Sequence, residues 1–264
     1  MNFTNKVVWI TGASSGIGEA LALELSEQGA QLVLSARNNE KLMAVKKACE
    51  NEELVKVLPL DLEDYANLET KVAEAINWFG RIDILVNNGG ISQRSLASET
   101  SIYVDKRIMD VNYLGTVGLT KALIPHFIKN KKGQFVVTTS IVGKIGTPLR
   151  SSYAASKHAL HGFFDSLRAE NHKNNITVTV VCPGFVNTMV SVNALTGDGS
   201  PQNKMDTATK NGISPNRFAK IMAKAILKKK EEVYIAGAKE KLGVYVKRFF
   251  PKLLATMIRK LPVT

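Results

Sequence analysis

Cysteine is scarce in this 264-residue chain. Its only two, Cys49 and Cys182, lie far apart and in no metal-ligand spacing. That excludes a disulfide scaffold and a cysteine zinc site, and both thiols are expected to be reduced and structural. Metal ligation is not expected. No apolar run reaches the roughly 18 residues that cross a bilayer. Met1–Lys6 is polar, and Val7–Ile10 is too short for the core of a secretory signal. The expectation is a cytoplasmic protein. Internal repeats and low-complexity tracts are also missing.

What is present suits one large α/β domain. Hydrophobic residues make up 45% and charged residues 22%, enough apolar surface to build a core and too little charge for a disordered chain. The net charge of +12 is unevenly placed. Residues 201–264 carry 15 Lys+Arg against four Asp+Glu, leaving 20 against 19 in residues 1–200. A basic end of this kind attracts anionic lipid, an acidic protein or nucleic acid, or is simply a solvated surface.

Strand-like and helix-like segments alternate along the chain. Strands are expected at Lys6–Thr11, Gln31–Ala36, Leu54–Leu60, Ile82–Val86, Gln134–Ser140, Ile176–Cys182 and Val233–Ile235. Between them lie helical patterns at Ile17–Gln28 (ended by Gly29), Asn39–Asn51, Tyr65–Phe79, residues 101–130 and Tyr153–Asn171. Ser214 and Pro215 form a helix start, with the helix running to about Lys229. Short apolar strands separated by helices imply a parallel sheet buried on both faces, a doubly wound Rossmann-type fold. The polar segment 189–214 follows the sixth strand and is read as a substrate lid.

The turn from the first strand to the first helix reads Thr11-Gly12-Ala13-Ser14-Ser15-Gly16-Ile17-Gly18. Gly12 permits the tight turn, Gly16 lets backbone approach a pyrophosphate, and Gly18 allows close helix–strand packing. After the second strand, an NAD-preferring site places an acid on the adenosine ribose. Here Ser35-Ala36-Arg37-Asn38 offers none before Glu40. Arg37 supplies a forked cation suited to a 2′-phosphate, and Ser14 and Asn38 add neutral donors, so NADP(H) is the expected cofactor.

Tyr153 and Lys157 stand at i and i+4 on one helix face. A tyrosine, with an ordinary pKa of about 10, works near neutral pH only if its anion is stabilised, which an adjacent ammonium does. Ser140 ends the fifth strand, where its hydroxyl can orient a substrate oxygen. Asn112 lies in the preceding helix, where it can hold a water against Lys157.

Taken in order, Thr11–Gly18, Asp61, Asn87-Asn88-Gly89-Gly90, Asn112, Ser140, Tyr153, Lys157 and Pro183-Gly184 resemble the classical short-chain dehydrogenases/reductases over about residues 4–235. The resemblance implies a catalytic tetrad of Asn112, Ser140, Tyr153 and Lys157. It implies hydride transfer between NADP(H) and an alcohol or carbonyl, with Tyr153 as proton donor or acceptor. It places Asp61 and Leu62 beside the adenine, Asn88 and Gly89 along the cofactor, and Asn87 under the central strand. Lys157 is expected on the nicotinamide ribose, with Pro183, Gly184, Val186 and Thr188 along the nicotinamide end. The family usually has alanine at Gly89, so a slightly wider site is expected. The segment Asn87–Ser95 resembles the branch related to microsomal hydroxysteroid dehydrogenases. Members of that branch are often anchored in the membrane at the N-terminus. This chain starts almost directly at the first strand, so no such anchor is expected. A homodimer or homotetramer is also implied.

Residues 239–264 form a basic amphipathic extension beyond the 1–238 domain. Leu242, Val246, Phe249, Phe250, Leu253, Leu254, Met257, Ile258 and Leu261 recur at helical spacing. Seven Lys and Arg, at 239, 241, 247, 248, 252, 259 and 260, occupy much of the other surface. Pro251 is expected to split it into two short helices. Its apolar face either packs on the body or a second subunit, or meets a membrane surface through 239–261. Nucleic acid is not an expected partner, because no recognised module accompanies the charge. The substrate is read as a small or lipophilic alcohol or carbonyl. A 3-oxoacyl-carrier-protein reductase is an alternative, as is a cofactor-binding regulatory protein that has kept the fold.

Overall fold

The structure is a computed structural model that describes residues 2–259; the tail positions Lys260 and Leu261 lie outside the described residues. Seven parallel strands form one sheet in the order β3-β2-β1-β4-β5-β6-β7. They are β1 (Val7–Thr11), β2 (Gln31–Ser35), β3 (Val55–Val57), β4 (Ile84–Asn87), β5 (Gly133–Thr138), β6 (Ile176–Pro183) and β7 (Glu232–Ile235). The order reverses between β1 and β4, which opens a crevice at the carboxyl ends of those strands.

The period-2 geometry of a strand sends alternate side chains to opposite faces. Val7 and Trp9 therefore join one apolar layer, with Leu68, Val72, Leu119, Leu123, Leu160 and Phe164. Those residues come from α3 (Leu68–Phe79), α5 (Gly115–Lys129) and α6 (Ser151–Glu170). Val8 and Ile10 face the other layer, with Leu21, Leu25, Leu42, Phe218 and Met222. These belong to α1 (Gly16–Glu27), α2 (Asn39–Ala48) and α8 (Pro215–Leu227). Trp9 is fully buried, and its indole N–H donates to Ser35 Oγ at 2.9 Å.

Several boundaries differ from the sequence expectation. The strand expected over Leu54–Leu60 pairs only across Val55–Val57. Leu58 and Leu60 still donate backbone bonds to Leu34 and Ala36; β3 is the edge strand, and Pro59 between them falls on its open side, where a missing N–H removes no ladder bond. Residues 101–130 divide into α4 (Ile102–Met109), a π-helical turn (Asp110–Leu114) and α5. Ser140 lies just beyond β5 rather than in it, as the N-cap of a 3-10 turn, Ile141–Gly143, whose Val142 N–H it accepts at 3.1 Å. Both cysteines are free and buried.

The tail folds into α9 (Ala238–Phe249) and α10 (Pro251–Ile258), with Pro251 opening the second helix. The short α7 (Thr207–Lys210) lies inside the expected lid.

Candidate active site

The turn after β1 is held against the end of β4. Thr11 Oγ1 accepts from the N–H groups of Asn88 and Gly89, both at 3.0 Å, and Asn88 Nδ2 donates to the Thr11 carbonyl at 3.2 Å. Gly12 and Gly16 have φ of +64° and +60°. A Cβ on Gly12 would lie 2.8 Å from Gly89 Cα, and one on Gly16 would lie 3.0 Å from Thr188 Cγ2. A Cβ on Gly18 would lie 2.2 Å from the Gly12 carbonyl oxygen. Ser15 is the N-cap of α1, yet its side chain makes no capping bond. The first-turn N–H donors of α1 and its positive dipole end therefore remain open, as a bound phosphate requires. This cradle fits a dinucleotide.

Arg37 lines the same cavity as Ser14, Ser15, Ile17 and Asn38, and it has no hydrogen bond or ion pair among the described residues. The Asn38 side chain partly serves the fold, because Oδ1 caps α2 by accepting from Lys41 N at 2.8 Å. Lys41, which sequence reasoning did not single out, is a second cation lining this end. Its position in the first turn of α2, three residues after Asn38, was the available signal. Asp61, Leu62, Asn88, Gly89, Pro183, Gly184, Val186 and Thr188 all line the cavity. The expected widening at Gly89 does not occur. An added methyl there would lie 2.9 Å from Leu62 Cδ1, so Leu62 has taken the room.

Ser140, Tyr153 and Lys157 converge on that cavity. Lys157 is buried, donates from Nζ to the Thr138 carbonyl at 2.9 Å, and sits 5.8 Å from the centre of the Tyr153 ring. Desolvation lowers its pKa to about 8. Burial raises the Tyr153 phenol, while a hydrogen bond with Ser140 and the charges of Arg94 and Arg150 pull it back down. Asn112 Oδ1 accepts from Ile91 N at 2.8 Å, and Nδ2 donates to the Ile91 carbonyl and Ser156 Oγ, both at 3.0 Å. Its side chain is thus engaged with the loop after β4 and with α6. Gly90 separates Asn112 from Lys157, since a Cβ there would lie 2.9 Å from Asn112 Oδ1 and 3.5 Å from Lys157 Nζ. The π turn carrying Asn112 is a local irregularity of the kind found at functional sites.

Three features of the site escaped sequence reasoning. Gln93 Oε1 accepts from Ser152 N at 2.9 Å and Tyr153 N at 3.3 Å, capping the start of α6 from the loop after β4. This fixes the turn that carries Tyr153. Asp206, in the expected lid, pairs with Arg94 at 2.7 Å and Arg150 at 3.4 Å, with all three side chains at most 5% exposed. The lid is therefore anchored: Leu195 N also donates to the Ser92 carbonyl, and Arg94 N to the Leu195 carbonyl. No local pattern links residues 112 positions apart.

The third feature is the tail, which walls the cavity. Leu242, Gly243, Val246, Leu254, Met257 and Ile258 line it. Glu240 Oε1 accepts from Phe185 N at 2.9 Å, tying the first turn of α9 to the segment after β6. The whole cavity measures about 1020 Å³. That is the upper end of the usual ligand-site range of roughly 300–1,000 Å³ and leaves space for a dinucleotide and a second molecule.

The family model described as short chain dehydrogenase matches residues 6–198. A dehydrogenase/reductase SDR family protein 7-like from Anopheles gambiae is 44% identical over 98% of this chain and 84% of its own length. The human dehydrogenase/reductase SDR family member 7 is 43% identical over 94% of this chain and 75% of its own. Among solved structures, levodione reductase is 26% identical, has a TM-score of 0.81, and covers 90% of this chain and 99% of its own. A Burkholderia cenocepacia short chain dehydrogenase in complex with NADP shares the fold, with 23% identity, a TM-score of 0.81 and coverage of 98% and 99%. A Burkholderia phymatum short chain dehydrogenase/reductase in complex with NAD also shares it, with 23% identity, a TM-score of 0.82 and 96% of both chains. The chain belongs to the short-chain dehydrogenase/reductase family of oxidoreductases.

Proposed function

We propose that this chain is an NADP(H)-dependent oxidoreductase that interconverts an alcohol and a carbonyl on a lipophilic small molecule. The observation that carries the reading is the convergence of Ser140, Tyr153 and Lys157 on the cavity that the Gly12–Gly18 turn opens into. Arg37, without a partner among the described residues, and Lys41 beside it support NADP(H) over NAD(H). A bound nicotinamide supplies or accepts the hydride. Tyr153 donates its phenolic proton to the carbonyl oxygen in reduction and takes it back in oxidation. The Lys157 ammonium stabilises the phenolate, and the Ser140 hydroxyl holds and polarises the substrate oxygen. Asn112 acts as a positioning residue, joining Ile91 to Ser156 on the helix that carries Tyr153 and Lys157.

The lipophilic substrate class is supported by the far walls of the cavity, where Ile91, Val142, Ile145, Leu195, Val246 and Leu254 converge. A homodimer or homotetramer belongs to the same proposal. Ile102, Tyr103 and Leu114 on the α4–α5 face are 82%, 63% and 44% exposed and supply apolar contact area. Two free buried thiols support a reducing, cytoplasmic setting.

Tyr153→Phe tests the reading. NADPH binding should stay near the wild-type level while turnover of a carbonyl panel falls by about 10²–10⁴-fold, the usual contribution of a general acid. Retained turnover would remove Tyr153 from its role. NADPH binding by the wild-type protein without turnover of any carbonyl would favour a cofactor-binding regulatory protein that has kept the fold, and absence of NADPH binding would contradict the cofactor assignment itself.

A further inference from the structure

A second cluster of polar side chains lies behind the turn that carries Ser140. It joins Lys144, His161, Cys182, Glu232 and Tyr234, none of which lines the cavity. Glu232, the first residue of β7, is its centre. Its Oε2 accepts from Lys144 Nζ at 2.8 Å, and its Oε1 accepts from the Tyr234 hydroxyl. The Lys144 and Glu232 side chains are 25% and 31% exposed, so water screens this ion pair only in part. His161 stands one turn after Lys157 on α6 and is buried. Its Nδ1 lies 3.7 Å from Glu232 Oε2, without a hydrogen-bond partner among the described residues, and its Nε2 lies 3.9 Å from Cys182 Sγ.

Thiol, imidazole and carboxylate in that order are the parts of a nucleophilic triad. Here they do not make one. Cys182 is fully buried, and burial pushes its thiol up to about 12, so no thiolate forms. Burial, with the Lys144 charge beside it, lowers His161 to about 4, so its ring is neutral near pH 7. Lys144 is then the cation that Glu232 holds, and the cluster acts through what that pair fastens.

It fastens the Ser140 turn. Lys144 directly follows the 3-10 turn Ile141–Gly143 that Ser140 caps. Ser140 is bound into that turn twice: its Oγ accepts from Val142 N at 3.1 Å, and its carbonyl accepts from Gly143 N at 2.9 Å. The far end of the turn is then held from two sides. Lys144 ties it to β7 through Glu232. Gly143 lies against α6, where an added Cβ would be 3.0 Å from the Lys157 carbonyl oxygen and 3.2 Å from His161 Nε2. At a rise of about 2 Å per residue, Lys144 stands only about 8 Å along the turn from Ser140, so a shift at one end reaches the other.

We infer that Glu232, clamped to Lys144 and backed by His161, is a positioning residue that sets where the Ser140 hydroxyl meets Tyr153 and the substrate oxygen. What Ser140 then does rests on the alcohol/carbonyl reading above; the clasp on its turn does not. The consequence is chemical as well as geometric. Tyr153 is faced by Lys157 from its own helix, by Ser140 from the turn, and by Arg94 and Arg150, which Asp206 holds. Burial raises the Tyr153 phenol, and the Ser140 bond with the two arginine charges lowers it. A loosened Ser140 therefore leaves the phenol a weaker acid.

Glu232→Gln keeps the size of the side chain and removes the ion pair, and Lys144→Gln removes it from the other side. Amide hydrogen exchange followed by NMR reads the clasp without turnover. The Val142 and Gly143 amides should exchange about fivefold faster in either variant, and those of β5 should not change. Unchanged NADPH binding shows that the variants fold; if Glu232→Gln does not, the more exposed Lys144→Gln carries the test. In ketone reduction kcat should fall about tenfold with KM for NADPH unchanged, short of the roughly 10²–10³-fold loss on removing the hydroxyl with Ser140→Ala. Alcohol oxidation, which needs the phenolate, should switch on at higher pH. The double variant should be no worse than either single one, and Glu232→Gln should add nothing in a Ser140→Ala background.

Unchanged exchange at Val142 and Gly143 in both variants would overturn the clasp. Faster exchange with an unaltered kcat, or with an unshifted pH profile, would overturn the positioning of Ser140 and leave Glu232 a structural residue. A further tenfold loss in the Ser140→Ala background would show that Glu232 acts by another route, and would overturn it equally. If the wild type turns over no ketone while exchange behaves as expected, the catalytic reading fails and the clasp stands.

Discussion

Near neutral pH, Lys157→Met should leave the cofactor-free protein as stable as the wild type or more so, and the balance should shift toward the wild type as pH rises. The wild-type ammonium is buried with one hydrogen bond, to the Thr138 carbonyl, and with no carboxylate in contact among the described residues. Its pKa falls from 10.5 to about 8. At 1.36 kcal/mol per unit, holding that charge in the fold costs about 3 kcal/mol at pH 7. Between about pH 8 and 10.5 the unfolded chain binds a proton that the folded chain has released, so this cost shrinks as pH rises and is gone above 10.5.

Methionine fills similar space without charge. It leaves the Thr138 carbonyl without this donor, an offset of about 1–3 kcal/mol that does not vary with pH. The difference in unfolding free energy, wild type minus Lys157→Met, should therefore rise by about 3 kcal/mol from pH 7 to 10.5. Urea unfolding of both proteins at several pH values measures it. A difference that stays flat, or that falls as pH rises, would refute the desolvation argument. Turnover should be lost in the variant at every pH, so the residue that weakens the fold is the one the proposed chemistry needs.

Three further outcomes follow from the geometry. Arg37→Ala should weaken NADPH by about 10–100-fold, the worth of a charge-assisted phosphate pair, and leave NADH unchanged; parallel fluorescence titrations measure it. Asp206→Ala leaves Arg94 and Arg150 buried around a missing carboxylate. It should cost about 3–5 kcal/mol in urea unfolding, against little for an exposed acid such as Glu53. Gly16→Val forces a branched side chain at φ +60° against Thr188, so NADPH binding should fail by titration even where circular dichroism reports a folded protein.

The parallel sheet was legible because each strand is a short apolar run and each crossover carries a helical period. Strand ends were less so. Leu58 and Leu60 look like strand and keep two bonds to the β2 side, yet regular pairing stops at Val57, because pairing is a property of two strands rather than of one run. The π turn at Asp110–Leu114 was invisible, because one extra residue per turn hardly alters an apolar pattern read at 3.6.

Within the site, residues set by backbone needs were readable: Gly12, Gly16 and Gly18 in the turn, and Tyr153 and Lys157 at i and i+4. Residues set by long-range pairing were not. Gln93 capping α6, and Asp206 holding Arg94 and Arg150, join segments whose proximity exists only once the sheet has formed. The tail pattern announced two amphipathic helices. Which apolar residues would turn inward depended on the cavity they close: Leu254 is buried while Leu253 beside it is exposed.

The most direct measurement is a fluorescence titration of the purified protein with NADPH and with NADH, side by side. The account predicts binding of both, with NADPH tighter by about 10–100-fold through Arg37. Equal or tighter NADH binding would contradict the assignment of Arg37 to the 2′-phosphate. Binding of neither would contradict the Gly12–Gly18 cradle as a dinucleotide site, and with it the proposed chemistry.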